Sequence, residues 1–376
     1  MSEFAAGPAG RIERVRALMV VRGYDAIVVR DEANLRWLTG VKGVFDYTFE
    51  FPHAAFITAD QCLFHTDSRY LNSFEENTPA DSPWVYDMDE GTIPGWVAGK
   101  IAANKCRVCA VEDDMQINFY QGIQRGLEDR SVACMLPLMH DDIRKMRAIK
   151  DAEEIELMRH AQSITDAAFQ HMLGFIKPGM TEKQVRNELE NFMFANGADS
   201  LAFGSIVASG PNTANPHAVP SDRVIEKGDF VLMDYGAGYC DYRSDMTRTV
   251  VMGEPTQEQL DLYALVRRTH EECVAAIHPG VEGNDIFKLS KKIIGDAGYG
   301  DYYNHGLGHG VGIDIHELPN FNRSKNSIEV GSVITIEPGV YLPGVGGVRL
   351  EDYGVVTENG YEPFTKTPHD LHVIDC

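Results

Sequence analysis

Glu226-Lys227-Gly228-Asp229-Phe230-Val231-Leu232-Met233-Asp234-Tyr235-Gly236 and Glu329-Val330-Gly331-Ser332-Val333-Ile334-Thr335-Ile336-Glu337-Pro338-Gly339 are two versions of one pattern, 103 residues apart. Each opens on an acid and a glycine turn, runs through an apolar strand, and places a carboxylate at the strand's far end. A buried carboxylate without a partner is costly, so two at equivalent places suggest a cation shared across a pseudo-twofold axis. The repeat extends upstream: Ile176-Lys177-Pro178-Gly179 recurs as Ile277-His278-Pro279-Gly280, and Gly197 as Gly298, both 101 residues on. Two half-domains of like topology are implied.

After Asp234 the chain turns through Gly236 to Tyr239 and returns as Asp245-Met246-Thr247-Arg248-Thr249. If Phe230, Leu232 and Asp234 share one strand face, and Asp245, Thr247 and Thr249 share one face of the return, a hairpin brings two carboxylates together. The second half repeats the device. Glu337 leaves its strand, the chain turns through Pro343 to Gly347, and Glu351 returns behind Arg349. Four carboxylates then converge, and they cannot all stay ionised side by side without cations between them. Between the hairpins lie His305, His309 and His316, interleaved with Gly306, Gly308, Gly310 and Gly312, which let the backbone approach a ligand closely. A phosphate cradle is excluded, because G-x-G-x-x-G is not satisfied and no Walker lysine follows; an H-E-x-x-H helix and a G-x-S-x-G elbow are also missing.

The helices around these hairpins carry their own start signals. Asp151 with Glu154, Thr181 with Gln184 and Thr256 with Gln259 have capping-box spacing, and Leu157, Ala161, Ile164, Ala168, Met172 and Phe175 form an apolar stripe ended by Lys177-Pro178-Gly179. Upstream, the pattern predicts a helix around Ile12 to Met19, a strand over Ala26 to Val29, and a hairpin of Ala54 to Thr58 with Cys62 to His65. A helix near Trp96 to Ala103 and strands at Cys106 to Val111 and Val132 to Leu136 complete a small α/β domain. The charge-dense stretch from His140 to Glu156 separates the two, giving expected domains at 1–143 and 144–376 and an α+β protein overall.

With 376 residues, 44% hydrophobic and 24% charged, the chain can bury two cores. Its 34 basic against 56 acidic residues give a net charge of −22, which disfavours nucleic acid and anionic membranes as partners. No apolar run approaches the roughly 18 to 20 residues of a membrane span, and Met1 to Gly10 has no basic start followed by an apolar stretch, so a cytoplasmic protein is expected. The seven cysteines are odd in number and lack framework spacing, and the lone pair Cys106 and Cys109 has no second pair, so free thiols are expected.

These residues resemble the creatinase, prolidase and aminopeptidase P family of metallopeptidases, whose catalytic domain has the pita-bread fold. The likeness runs from Ser209-Gly210-Pro211-Asn212 and Pro216-His217 to Arg349-Leu350-Glu351-Asp352; in the first domain it is architectural. The resemblance implies a pair of divalent metal ions held by Asp234, Asp245, His309, Glu337 and Glu351, none of them substituted. It implies that Glu337 accepts the proton of the attacking water, and that His217 and His316 bond substrate carbonyls and the developing oxyanion. It makes Arg349 a partner for a proline carboxylate and His305 a wall of the prolyl pocket. Four carboxylates and one imidazole suit Mn²⁺ best, with Co²⁺, Fe²⁺ or Zn²⁺ able to substitute. The activity implied is cleavage of the Xaa-Pro bond of a small peptide by a homodimeric dipeptidase. An Xaa-Pro aminopeptidase uses the same five ligands. More distant alternatives are a C–N hydrolase of a small substrate such as ectoine and a non-catalytic peptide-binding module, against which the retained ligands argue. Methionine aminopeptidase would not need the first 140 residues, and its glutamates lie farther apart than the 14 residues between Glu337 and Glu351.

Overall fold

The computed structural model describes residues 7–42, 52–88, 91–321 and 327–376, and it divides into two compact units, Met1–Arg147 and Ala148–Cys376. The first unit is built on a five-stranded sheet of β1 (Ala26–Val29), β2 (Ala54–Thr58), β3 (Cys62–His65), β4 (Val85–Asp87) and β5 (Cys109–Val111), in the order β4-β3-β2-β1-β5. All four residues of β1 are buried, as an unbroken apolar run implies for a strand covered on both faces. Helices Ile93–Ala103 and Ile117–Asp129 supply Trp96, Ile101, Ile123 and Leu127 to the core around Val28 and Phe56.

Two strand expectations for this unit change. The strand expected from Cys106 begins only at Cys109, because the Arg107 and Val108 amides donate to the Asp25 carboxylate. Val132 to Leu136 is not a strand and makes only isolated bridges such as Val108 with Met135. Pro137 follows, with no N–H to extend a ladder. The helix Asp142–Arg147 lies within the first unit, past the expected division after residue 143, tied there by Arg22 to Asp142 at 2.8 Å and Arg147 to Asn34 at 2.8 Å.

In the second unit a helix pair precedes sheet structure twice. Helices α1 (Ala152–Phe175), α2 (Glu182–Ala195) and α3 (Gln257–Ala275) each start at a reciprocal capping box, formed by Asp151 with Glu154, Thr181 with Gln184, and Thr256 with Gln259; α4 (Gly283–Asp296) starts without one. The first sheet joins β6 (Ile206–Ser209), β7 (Phe230–Tyr235) and β8 (Met246–Met252). The second contains β9 (His309–Gly310), β10 (Glu317–Asn320), β11 (Val333–Ile336), and, past the ribbon of β12 (Gly339–Leu342) and β13 (Gly346–Arg349), β14 (Asp352–Thr357) and β15 (Gly360–Pro363). A last strand, β16 (Val373–Ile374), returns to the first sheet, giving orders β16-β8-β7-β6 and β10-β9-β11-β14-β15.

The antiparallel pairs β7 with β8 and β11 with β14 are equivalent. Thr247 lies opposite Asp234 in one, and Ile336 opposite Asp352 in the other. Phe169, Met172, Leu189 and Met193 of α1 and α2 pack on Val231, Met233 and Val250 in the first half, and Cys273, Ile286, Ile334 and Val356 pack in the second. The halves meet at the main chain, where the Glu351 N–H donates to the Thr247 carbonyl at 3.1 Å. Among the described residues no helix is long and apolar enough to cross a membrane.

One buried acid organises a loop. Glu182 is fully buried at the first turn of α2, and its oxygens accept from the amide and hydroxyl of Ser209 at 2.7 and 2.8 Å, of Ser221 at 2.9 and 2.6 Å, and from Asn212 at 3.0 Å. Loop 209–221, which carries His217, is gathered around this carboxylate. Removing it leaves several donors unpaired, each costing about 1–3 kcal/mol before relaxation. Glu182→Ala should therefore lower the unfolding free energy by about 2–4 kcal/mol in urea titrations.

Candidate metal centre

The repeat places its acids at strand ends. Asp234 lies in β7, Asp245 immediately precedes β8, Glu337 immediately follows β11, and Glu351 immediately precedes β14. The ribbon β12 and β13 fills the stretch between Glu337 and Glu351, so their return runs through an inserted hairpin rather than one continuous strand pair. His309 opens β9, which is held against β11 through Gly310 and Ile334. A Cβ at Gly308 would collide with the Thr335 carbonyl, so glycine there is what lets His309 sit this close to the end of β11.

His309 Nε2 lies 3.6 Å from Asp245 and 3.5 Å from Glu337. Asp245, His309 and Glu351 each present a ligand atom within 4.8 Å of the others. Asp245 and Glu351 are almost wholly buried, at 4% and 2% exposure. Burial first, and then the charges of Glu351, Asp234 and Glu337, push Asp245 well above the usual carboxylate range. Glu351 is raised in the same way, and Glu337 is pushed up to about 8, with Asp234 adding to its desolvation. Asp234 Oδ1 is buried with no hydrogen-bond partner among the described residues. Hard, oxygen-rich ligands, mutual repulsion and an orphaned carboxylate oxygen together fit divalent cations.

Outer groups orient these side chains. The His309 ring makes a 3.1 Å contact from Nδ1 to the Gly310 carbonyl, which fixes Nδ1 as the protonated nitrogen and leaves the Nε2 lone pair facing the acids. Burial lowers His309 to about 4, so the ring is neutral at physiological pH. Thr247 donates to Glu351 at 2.6 Å. The alternation that places Thr247 on the Asp245 face is visible in the sequence, and its bond to Glu351 is not.

Arg349 is drawn into the centre and fully engaged. Its guanidinium donates to Asp234 at 2.5 Å, to Thr247 at 3.0 Å, to the Tyr341 hydroxyl at 3.0 Å and to the Pro216 carbonyl at 3.3 Å, with 2% of the residue exposed. Tyr341, which sequence reasoning missed, also meets His305 Nε2 at 2.9 Å, so His305, Tyr341 and Arg349 form a chain that ends on Asp234. Burial first, then the Arg349 charge, lower His305 to about 3.

His316 is exposed, and its ring packs edge-on against His309 at 4.3 Å between centroids. Burial first, then the neighbouring His217, lower its pKa. His217 is exposed on the loop tied to Glu182 and to Arg349 through Pro216. Behind His316, Glu317 pairs with the buried Lys150 at 3.2 Å and accepts from the Asp314 amide at 3.0 Å, which holds the turn in place. The distance of 167 residues between Lys150 and Glu317 hides that pair from any local pattern.

The chain belongs to metallopeptidase family M24, whose model matches residues 156–358, and it carries the creatinase/prolidase N-terminal domain over residues 11–149. It is 44% identical over 232 residues to the Xaa-Pro dipeptidase of Pyrococcus furiosus, covering 61% of this chain and 67% of that one. The solved Xaa-Pro dipeptidase from Bacillus anthracis matches with a TM-score of 0.89 at 36% identity over 98% of this chain and 100% of its own. The X-Pro aminopeptidase from Thermotoga maritima matches with a TM-score of 0.85 at 31% identity, covering 97% and 100%. The expected architecture, a creatinase-type domain followed by a pita-bread catalytic domain, is the fold of this chain.

The raised carboxyl groups make a prediction for the protein stripped of metal. Glu337 binds its proton more tightly folded than unfolded, so its contribution is fully present below the unfolded value near 4.5 and is lost as pH rises through about 8. Metal-free protein should thus lose melting temperature across this window, and saturating Mn²⁺ should reverse much of the loss at pH 8. A chelated sample whose melting temperature is flat from pH 5 to 8 contradicts the crowding of acids.

Proposed function

We propose that the enzyme hydrolyses the Xaa-Pro bond of small peptides as a prolidase-like dipeptidase, with two divalent ions, Mn²⁺ by preference, held by Asp234, Asp245, His309, Glu337 and Glu351. The observation that carries this reading is the convergence of acids from both half-domains on His309, with their carboxyl groups raised by burial and by one another. The likeness to the Pyrococcus and Bacillus dipeptidases supports the substrate class. When bound, the ions would polarise the scissile carbonyl and lower the pKa of the attacking water.

The chain's own groups divide the remaining work. Glu337 accepts the proton of the water, the role the family resemblance implies for it. His316 and His217, exposed beside the centre, donate to the substrate carbonyl and to the oxyanion that develops from it. His305 lines the prolyl pocket beside Tyr341. Arg349 acts by positioning: with its guanidinium spent on Asp234, Thr247, Tyr341 and Pro216, its engagement favours support of the metal ligand over direct capture of a proline carboxylate. All seven cysteines are free, which supports a reducing compartment and a cytoplasmic enzyme, and family resemblance supports a homodimer.

Three outcomes test this reading. Elemental analysis after Mn²⁺ loading should approach two ions per chain, with chelation abolishing Ala-Pro cleavage; one tight ion with full activity defeats the dinuclear centre. His316→Ala should keep its metal and lose roughly 10² to 10³ in kcat. Arg349→Ala should reduce kcat/KM for Ala-Pro and Ala-Pro-Ala to similar degrees and weaken metal retention. A loss confined to Ala-Pro would restore direct carboxylate recognition, and preferred cleavage of Ala-Pro-Ala by the wild type would favour an aminopeptidase like the Thermotoga relative.

A further inference from the structure

Apart from this centre, His270 on α3, Asp352 at the start of β14 and His369 between β15 and β16 present three ligand atoms within 4.8 Å of one another. Asp352 Oδ2 lies 2.6 Å from His369 Nε2 and 3.7 Å from His270 Nε2. The rings stand edge to face with centroids 4.8 Å apart. The other oxygen of Asp352 accepts from Arg248 at 2.7 Å, so the carboxylate is fixed with Oδ2 turned toward the imidazoles.

His270 is the unexplained member. It is 1% exposed, and neither ring nitrogen has a hydrogen-bond partner among the described residues. A neutral imidazole carries one donor and one acceptor, and burying either unpaired costs about 1–3 kcal/mol. Burial lowers His270 to about 4, leaving a neutral ring with a free lone pair. His369 is partly exposed and gives the cluster access to solvent, while its Nδ1 faces Glu271 at 3.9 Å, the outer carboxylate that ligating imidazoles commonly use. Tyr263 anchors its main chain by donating to the His369 carbonyl at 3.2 Å.

We propose that His270, Asp352 and His369 form a separate zinc site, with a fourth position open to solvent. Two imidazoles and one carboxylate are a borderline set that suits Zn²⁺, in contrast to the oxygen-rich centre next to it in sequence. Ligands about 2.0–2.2 Å from a tetrahedral ion stand roughly 3.3 Å apart. The 3.7 Å between Asp352 and His270 is already close to that, and the 2.6 Å between Asp352 and His369 has to widen, a movement available to a partly exposed side chain outside the strands. The ion would satisfy His270 and pin the segment after β15 to the residue that follows Glu351.

The test is a metal count on the full chain. Protein saturated with Zn²⁺ and cleared of loose metal by gel filtration should hold one more ion per chain in the wild type than in His369→Gln, which retains a donor for Asp352 without an imidazole. His270→Leu, which removes the unpaired nitrogens, should show the same deficit; if it does not fold, His369→Gln alone decides. Loading with Co²⁺ should add a tetrahedral visible absorption in the wild type that His369→Gln lacks. Equal zinc counts in wild type and His369→Gln overturn the proposal and leave a plain Asp-His hydrogen bond. Because the difference between proteins is read, and not the total, the result stands whether or not the peptidase centre takes two ions.

Discussion

Repulsion among buried carboxylates governs this molecule. Asp234, Asp245, Glu337 and Glu351 come from two half-domains and meet where water cannot screen them, so their surroundings either protonate them or supply positive charge. Among the described residues Arg349 supplies a permanent counter-charge, set on Asp234. Three of the four acids carry carboxyl groups raised above their ordinary values in spite of it. The packed helices and sheets around them are the framework that resists this repulsion, which ties the stability of the second unit to its cations.

The same crowding is held in place by a network of positioning groups. Thr247 holds Glu351, the Gly310 carbonyl holds His309, and Tyr341 links His305 to Arg349. Glu182 and the pair Lys150 with Glu317 do comparable work one layer farther out, fixing the loop of His217 and the turn of His316. A histidine that must meet a substrate atom at hydrogen-bond distance needs such support, because an ångström of misplacement costs much of the rate.

Much of this was legible in the sequence because its signals are local or repeated. The three capping boxes formed as their spacing implied, and the duplicated strands with terminal acids announced both the pseudo-twofold fold and a site of convergence. What escaped was settled at long range. Nothing near Arg349 in sequence reveals its four acceptors, contributed by Asp234, Thr247, Tyr341 and Pro216. The strand expected over Val132 to Leu136 does not form for a local reason, the missing amide of Pro137. The Asp352 cluster was hidden because His270 and His369 lie in segments that carry no motif.

The main-chain bond from Glu351 to Thr247 has a consequence for biosynthesis. The first two acids leave the ribosome more than a hundred residues before Glu351. Until Glu351 is made, Asp234 and Asp245 lack this partner from the second half-domain, so the cluster of four acids assembles only after both half-domains exist. The mutual repulsion that raises these carboxyl groups therefore arises only once both half-domains are present.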